Sequence, residues 1–261
     1  MIKTIIQNKK LLWNLAKDDF KGRFAGSKLG IIWGFIQPLV TIVIYWFVFS
    51  VGFRSGARED GTPYILWLIA GIIPWFFFAE SWPAATNCLS EYSFLVKKVL
   101  FKIELLPVVK MMSAFFVHAF FVGLMLIIYG VYGKFPTIYY IQLIYYIFCE
   151  IMLIYALSRI TSSLAAFSKD ISLIIGIILQ VFFWMIPIVW DSETFPLIVI
   201  RILKLNPLYY VIDGFRDCMV TKTWFVEKPL YTLYYWVFVL ILLGLGKKIY
   251  GKCKPYFADV L

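Results

Sequence analysis

A single histidine, His118, occurs among the 261 residues. That excludes a multi-histidine metal centre and every HExxH arrangement, which needs two imidazoles one helical turn apart. No GxxxxGK[ST] phosphate loop is present. None of the pairs Gly133-Lys134, Gly246-Lys247 and Gly251-Lys252 is followed by the Ser or Thr that would meet a nucleotide-bound cation, so ATP cannot be held in that way. Charge is also scarce. Asp, Glu, Lys and Arg make up 15% of residues, where soluble domains carry roughly 25%, and hydrophobic types reach 62%. The one adjacent acidic pair, Asp18-Asp19, sits in a helical pattern that predicts a solvated surface, so no catalytic residue and no metal ligand is expected.

What the chain does have is long apolar runs. From Gly30 to Phe53 no charged side chain interrupts 24 residues. About 20 such residues cross a hydrocarbon core at 1.5 Å rise per residue. Six apolar segments are expected to span: 30–53, 63–85, 111–133, 137–157, 171–190 and 230–246, the last being the shortest. The fold class is therefore all-α integral membrane, one transmembrane domain over 1–261.

Six spans place both termini on one side. Seventeen of the 25 Lys and Arg fall on that side: seven in 1–29, four in 86–110, Arg159 and Lys169, and four after 246. Eight fall on the other. The positive side is the cytoplasmic one. The net charge of +10 is read as anchoring against anionic lipid, with no nucleic-acid partner. Met1 to Lys21 is charged throughout and lacks a short apolar core before small residues, so no cleavable signal is expected. Of the four cysteines only Cys218 falls outside, which leaves no intramolecular disulfide to form.

Three segments do not span. In 1–29, Lys3, Gln7, Lys10, Asn14, Lys17 and Lys21 recur at steps of four and three, opposite Ile2, Ile5, Ile6, Leu12, Trp13, Ala16 and Phe20, which predicts an amphipathic helix in the headgroup plane. It is either a plain anchor or a lever on the first span. In the lever reading, the spacing Gly22–Gly26–Gly30–Gly34 lets another helix approach closely. The connection 86–110 mixes charge with Tyr92, Phe94, Leu95 and Phe101. It is either a solvated connector or a short helix docking in a partner's groove. In 191–229, PLIVIRILKL and LYYVIDGFRDCMV are apolar yet too short to cross, which predicts re-entrant or interfacial helices.

Glu80, His118 and Glu150 are the ionisable groups inside apolar segments, and such groups face a bundle interior. Three scattered residues are too few for a proton relay, and Glu80 lies near enough to the cytoplasmic end to pair with a basic neighbour. Aromatic residues make up 20% of the chain. Tyr45, Trp46, Phe49, Trp75, Trp184 and Trp190 are candidates to line a path for a bulky amphipathic substrate such as a sugar chain, with plain packing as the alternative for each.

Several motifs together resemble one family. They are RFAGSKLGIIWGFIQP (Arg23 to Pro38), YILWLIAGIIPWFFF with Gly71, Trp75 and Phe76, the pattern Asn87 … Lys98, Phe101, Glu104, Pro107, and NPLYYVIDGFRD (Asn206 to Asp217). In this order they look like the permease subunits of type-2 ATP-binding-cassette (ABC) exporters for O-antigen, teichoic acid or capsule; Phe24 departs from a frequent Tyr. The resemblance implies a homodimer in the bacterial plasma (inner) membrane, paired with two cytoplasmic ABC ATPase subunits that bind ATP and Mg, with no cofactor in this chain. It implies an undecaprenyl-diphosphate-linked polysaccharide as cargo. Arg23 and Lys28 would contact the lipid diphosphate, and Glu91, Tyr92, Phe94, Leu95 and Lys98 would couple to the ATPase. Asn206, Pro207, Tyr209, Tyr210 and Arg216 would belong to an external gate. The rival readings are the same fold exporting a small lipid or drug, a secondary carrier, and a polyprenyl-phosphate membrane enzyme. The charge count makes a direct prediction: a cysteine replacing Lys102 is labelled by an impermeant thiol reagent only from the cytoplasmic face, and one replacing Lys222 only from outside.

Overall fold

A computed structural model describes residues 6–53, 61–96, 102–191 and 195–261. Helix makes up 84% of it, and no strand occurs among the described residues. The helices are α1 (Lys9–Arg23), α2 (Trp33–Phe47), α3 (Tyr64–Glu91), α4 (Ser93–Val96), α5 (Leu106–Val131) and α6 (Gln142–Ala165), then α7 (Asp170–Met185), α8 (Leu197–Leu203), α9 (Pro207–Arg216), α10 (Pro229–Cys253) and α11 (Phe257–Val260). A 3₁₀ turn, Gly30–Ile32, leads into α2, and a π turn, Val48–Gly52, extends it.

Five stretches are long and apolar enough to cross a bilayer: Gly30–Gly52, Tyr64–Glu91, Ile103–Val131, Ile138–Ala165 and Pro229–Val260. The expected span 171–190 is the exception. Its helix, α7, holds 16 residues, about 24 Å at 1.5 Å per residue, short of a roughly 30 Å hydrocarbon core. The helix stops at Met185, just before Pro187, which removes a backbone donor and clashes with the preceding turn. The expectation that the last span is the shortest is also corrected, since α10 has 25 residues. Its apolar run ends at Gly246, but lysine is a good helix former and carries the helix on through Lys252. The central helix α3 also runs beyond the expected span end at 85, through Glu91, because Thr86, Cys88 and Leu89 are buried against the bundle.

The bundle is built around α3. In its most apolar window 78% of residues are buried, against 6% for the Gly30–Gly52 stretch. A helix apolar on every side belongs inside, and α3 is enclosed by α5, α6 and α9. Its polar groups bond across the bundle: Thr86 Oγ1 lies 2.6 Å from Thr161 Oγ1, and the Tyr129 hydroxyl donates to the Leu66 carbonyl at 2.9 Å. A second cluster at the basic end packs α4, α10 and α11 together through Val96, Leu106, Tyr250 and Phe257.

The expected polar stripe along α1 and the residues before it holds where it is described, with Gln7, Lys10, Asn14, Lys17 and Lys21 exposed; Lys3 of the stripe, and Ile2 and Ile5 opposite it, lie outside the described residues. The other face of α1 packs Leu12 and Ala16 on Leu105 and Val109 at the start of α5, so protein as well as lipid receives it. The four glycines do not form a helix-packing face. Gly26 (φ 87°) and Gly30 (φ 54°) take left-handed backbone that turns the chain from α1 into α2, and nothing lies within 4 Å of a Cβ placed on Gly22. Gly34 leaves room for the Phe24 ring, 2.7 Å from where its Cβ would stand. Gly26→Val is therefore expected to lower stability by about 1–2 kcal/mol, whereas Gly22→Ala, in open helix, is neutral or stabilising. Thermal midpoints in detergent check both, and a larger loss for Gly22→Ala would restore the helix-packing reading.

Candidate functional site

Where α1 meets the bases of α3 and α5, five ionised side chains come together. Asp19 is not solvated as expected from its pattern: it is 8% exposed and accepts from Lys110 Nζ and, at 2.8 Å, from the Tyr92 hydroxyl. Arg23 Nε reaches Asp19 Oδ2 at 3.3 Å, and its Nη1 donates to Glu80 on α3. Lys110 also donates to Glu91. Glu80 thus pairs with a basic neighbour, as expected. Burial pulls the Asp19 pKa upward, but the Lys110 hydrogen bond and charge and the Tyr92 hydroxyl outweigh it and hold it below the ordinary carboxylate value. A buried charge survives only when paired, so these pairs bind α1, the end of α3, the Tyr92 turn and the start of α5 into one body.

The expected coupling residues divide accordingly. Glu91, half exposed, and Tyr92 both bond into this node, Leu95 packs on the cluster around Val96 and Phe257, and Phe94 stands 58% exposed. Lys98 lies outside the described residues. Of the two expected diphosphate contacts, Arg23 is committed to two carboxylates, while Lys28 is exposed on the turn between α1 and α2.

The six aromatic candidates also separate. Tyr45 of α2 and Trp75 of α3 both meet the Phe183 ring of α7, at centroid distances of 5.6 and 5.5 Å. Phe49 stacks on Tyr64 at 5.8 Å. Trp46 and Trp184 are exposed on this single chain. Trp190 Nε1 donates to the Trp184 carbonyl at 3.0 Å. The structure therefore makes one aromatic lane, Tyr45–Phe183–Trp75, along the seam of the two outlying helices α2 and α7 against α3.

At the opposite end the hairpin of α8 and α9 enters the bundle. Asn206 Oδ1 accepts from the Leu208 amide at 3.0 Å, capping α9, and Pro207 occupies the first turn, where its missing N–H costs nothing. Tyr209 and Tyr210 are buried, and the Tyr210 hydroxyl meets Tyr145 at 3.1 Å and Thr232 at 2.9 Å. Arg216 is buried too. It donates to the carbonyls of Pro187 and Ile188 at 2.5 and 2.9 Å and lies 3.5 Å over the Trp67 ring. A Cβ on Gly71 would collide with its guanidinium. Lys228 then pairs with Asp213 at 3.1 Å and Asp217 at 2.6 Å. His118 is packed among Phe77, Phe115 and Phe215.

Sequence reasoning gave no role to Trp67 or to the pairing of Lys110, and read Asp19 as solvated. Asp19 had a readable signal: it follows Leu12 and Ala16 at steps of four and three, on the apolar face, where an acid requires a buried cation.

Helices of membrane length packed around one buried centre define a multi-pass membrane protein. The chain belongs to the ABC-2 type transporter family, whose model matches residues 10–220, from α1 through α9. It is similar, at 28% identity over 255 residues, to two proteins of Klebsiella pneumoniae, each called O-antigen export system permease protein RfbA, with 96% of this chain and 95% of each relative covered. A protein of the same name from Myxococcus xanthus is 22% identical over 261 residues, covering 99% and 98% of the two chains.

Lys110→Met is expected to cost about 1–3 kcal/mol, since buried Asp19 loses one of its two cations and keeps Arg23, and Lys110→Met with Asp19→Asn should cost less than the two changes summed. The depressed Asp19 pKa contributes stability above its unfolded value of about 3.9 and loses it as pH falls through the folded value. Asp19→Asn therefore flattens the acid limb of a detergent melting profile.

Proposed function

We propose that this chain is the membrane subunit of an ATP-driven exporter that moves a lipid-linked cell-surface polysaccharide out of the cytoplasm. The observation that carries the reading is near-full-length similarity to three permeases named for O-antigen export, inside a family match that takes in the ionic node, the aromatic lane and the Arg216 hairpin.

Two copies form the pathway in this reading, because α2 and α7 bury little within one chain and carry the lane on their seam with α3. Two cytoplasmic ABC ATPases bind ATP and Mg and push on the segment that follows α3. Phe94 presents its ring outward there, and the Asp19–Lys110–Glu91 pairs carry its displacement into α1 and α5. The basic end lies in the cytoplasm of a bacterial inner membrane, with both termini there. The α8–α9 hairpin, held by Arg216, covers the outward exit. Lys28 and the remaining Arg23 N–H groups meet the lipid diphosphate.

The test is surface display of glycan in a strain whose own permease gene is deleted. Co-expression of this chain with its ATPase restores surface glycan seen by lectin or antibody, and Phe94→Asp removes both display and ATPase co-purification at normal permease levels. Display that persists with a hydrolysis-dead ATPase, or efflux of a small drug without glycan, would overturn the reading.

A further inference from the structure

Between α6 and α10, at the basic end, lies a cavity of about 530 Å³ that the transport reading does not use. On α10 its wall is formed by Leu243, Lys247, Tyr250 and Gly251, followed by Lys254 in the turn beyond. Leu243, Lys247, Tyr250 and Lys254 recur at steps of four, three and four, with Gly251 beside Tyr250, so one helix face supplies them. The apolar run of α10 ends at Gly246, so the cavity straddles the level where hydrocarbon gives way to headgroups. Gly246 also sets its width. A Cβ there would stand 2.8 Å from Arg159 Cβ, and its absence lets α10 close on α6 until cations from both helices share one opening.

The chemistry of the wall is unbalanced. Arg159 is only 9% exposed; its Nη1 donates to the Tyr155 hydroxyl at 3.0 Å and its guanidinium lies 4.2 Å from the Tyr250 ring centroid. Among the described residues no carboxylate lies within ion-pair distance of it. The acid in the wall, Glu104, is 3.4 Å from Lys254 and open to solvent. Tyr250 is 3% exposed, yet its hydroxyl has no hydrogen-bond partner among the described residues. A buried guanidinium without an anion and a buried hydroxyl without an acceptor both call for an oxygen-rich anion. The spacing Gly246-x-x-x-x-Gly251-Lys252 stands inside a helix, where backbone amides are already bonded, so side chains must do the binding.

We infer that this cavity holds the phosphate head of a membrane lipid, with Arg159, Lys247 and Lys254 on the phosphate oxygens, Tyr250 donating its hydroxyl and Leu243 against the first methylenes. Basic pockets between spans at the cytoplasmic level suit this chemistry. The inference does not depend on the polysaccharide reading. A resident anionic phospholipid and a polyprenyl diphosphate share the required group.

The test uses the full chain in phosphatidylcholine nanodiscs, titrated separately with phosphatidylglycerol and with farnesyl diphosphate. Bound lipid is counted by native mass spectrometry. Wild type is expected to retain at least one of the two, with affinity about tenfold weaker in Arg159→Gln and in Lys247→Gln with Lys254→Gln. Lys248→Gln with Lys252→Gln, an equal charge change off the cavity wall, should leave it unaltered. Tighter retention of phosphatidylglycerol identifies a resident lipid, and tighter retention of farnesyl diphosphate identifies the polyprenyl source. The exposed lysine pair keeps the test decisive if Arg159→Gln fails to fold. Equal losses in the two lysine pairs would reduce the effect to surface charge and overturn the inference. So would unchanged retention in the cavity variants, or loss of ATPase co-purification with lipid retention intact.

Discussion

A lysine at the foot of an apolar helix is the constraint around which the basic end is organised. Lys110 is buried at the start of α5, and a lone ammonium there would cost several kcal/mol. Asp19 and Glu91 meet it from α1 and from the end of α3, and Tyr92 and Arg23 complete the set through Asp19. An amphipathic helix that would otherwise rest on lipid alone is thereby attached to the same body as the central helix. The end of α3 and the start of α5 are thereby joined to α1 through ion pairs.

The opposite end solves a similar problem with carbonyls in place of carboxylates. Arg216 is also buried, but it spends two of its N–H groups on the Pro187 and Ile188 carbonyls, left free where α7 stops, and lays its plane on Trp67. The broken end of α7 and the buried guanidinium satisfy each other. That is why a helix too short to span and a hairpin too short to span can both lie inside a membrane bundle, since irregular backbone is tolerated there only when protein covers it.

Much of the architecture was legible from the residues. Hydropathy located the five long membrane helices, and the 3.6-residue rhythm of α1 marked its solvent face correctly. It failed at helix ends, because hydropathy measures the thickness of oil and lysine does not end a helix: Lys247, Lys248 and Lys252 end the apolar run of α10 without ending α10. The glycine row failed for a different reason. Regular spacing implies a shared face only while the backbone stays helical, and the left-handed turns at Gly26 and Gly30 break that condition. The mixed segment around Tyr92 fitted either a solvated connector or a docking helix, and no local pattern showed that the Tyr92 hydroxyl would donate to Asp19 on α1.

By itself, then, the order of residues determined a membrane-embedded helical chain, because long runs without charge are set by residue type. It also carried, through four motifs in register, the resemblance that the family match bears out. Which helix stands at the centre, which cations find carboxylates and which remain without one, and which aromatic rings meet were decided only by the tertiary structure. Those outcomes depend on distances between segments up to 150 residues apart, as between Glu104 and Lys254, and no local pattern encodes a distance.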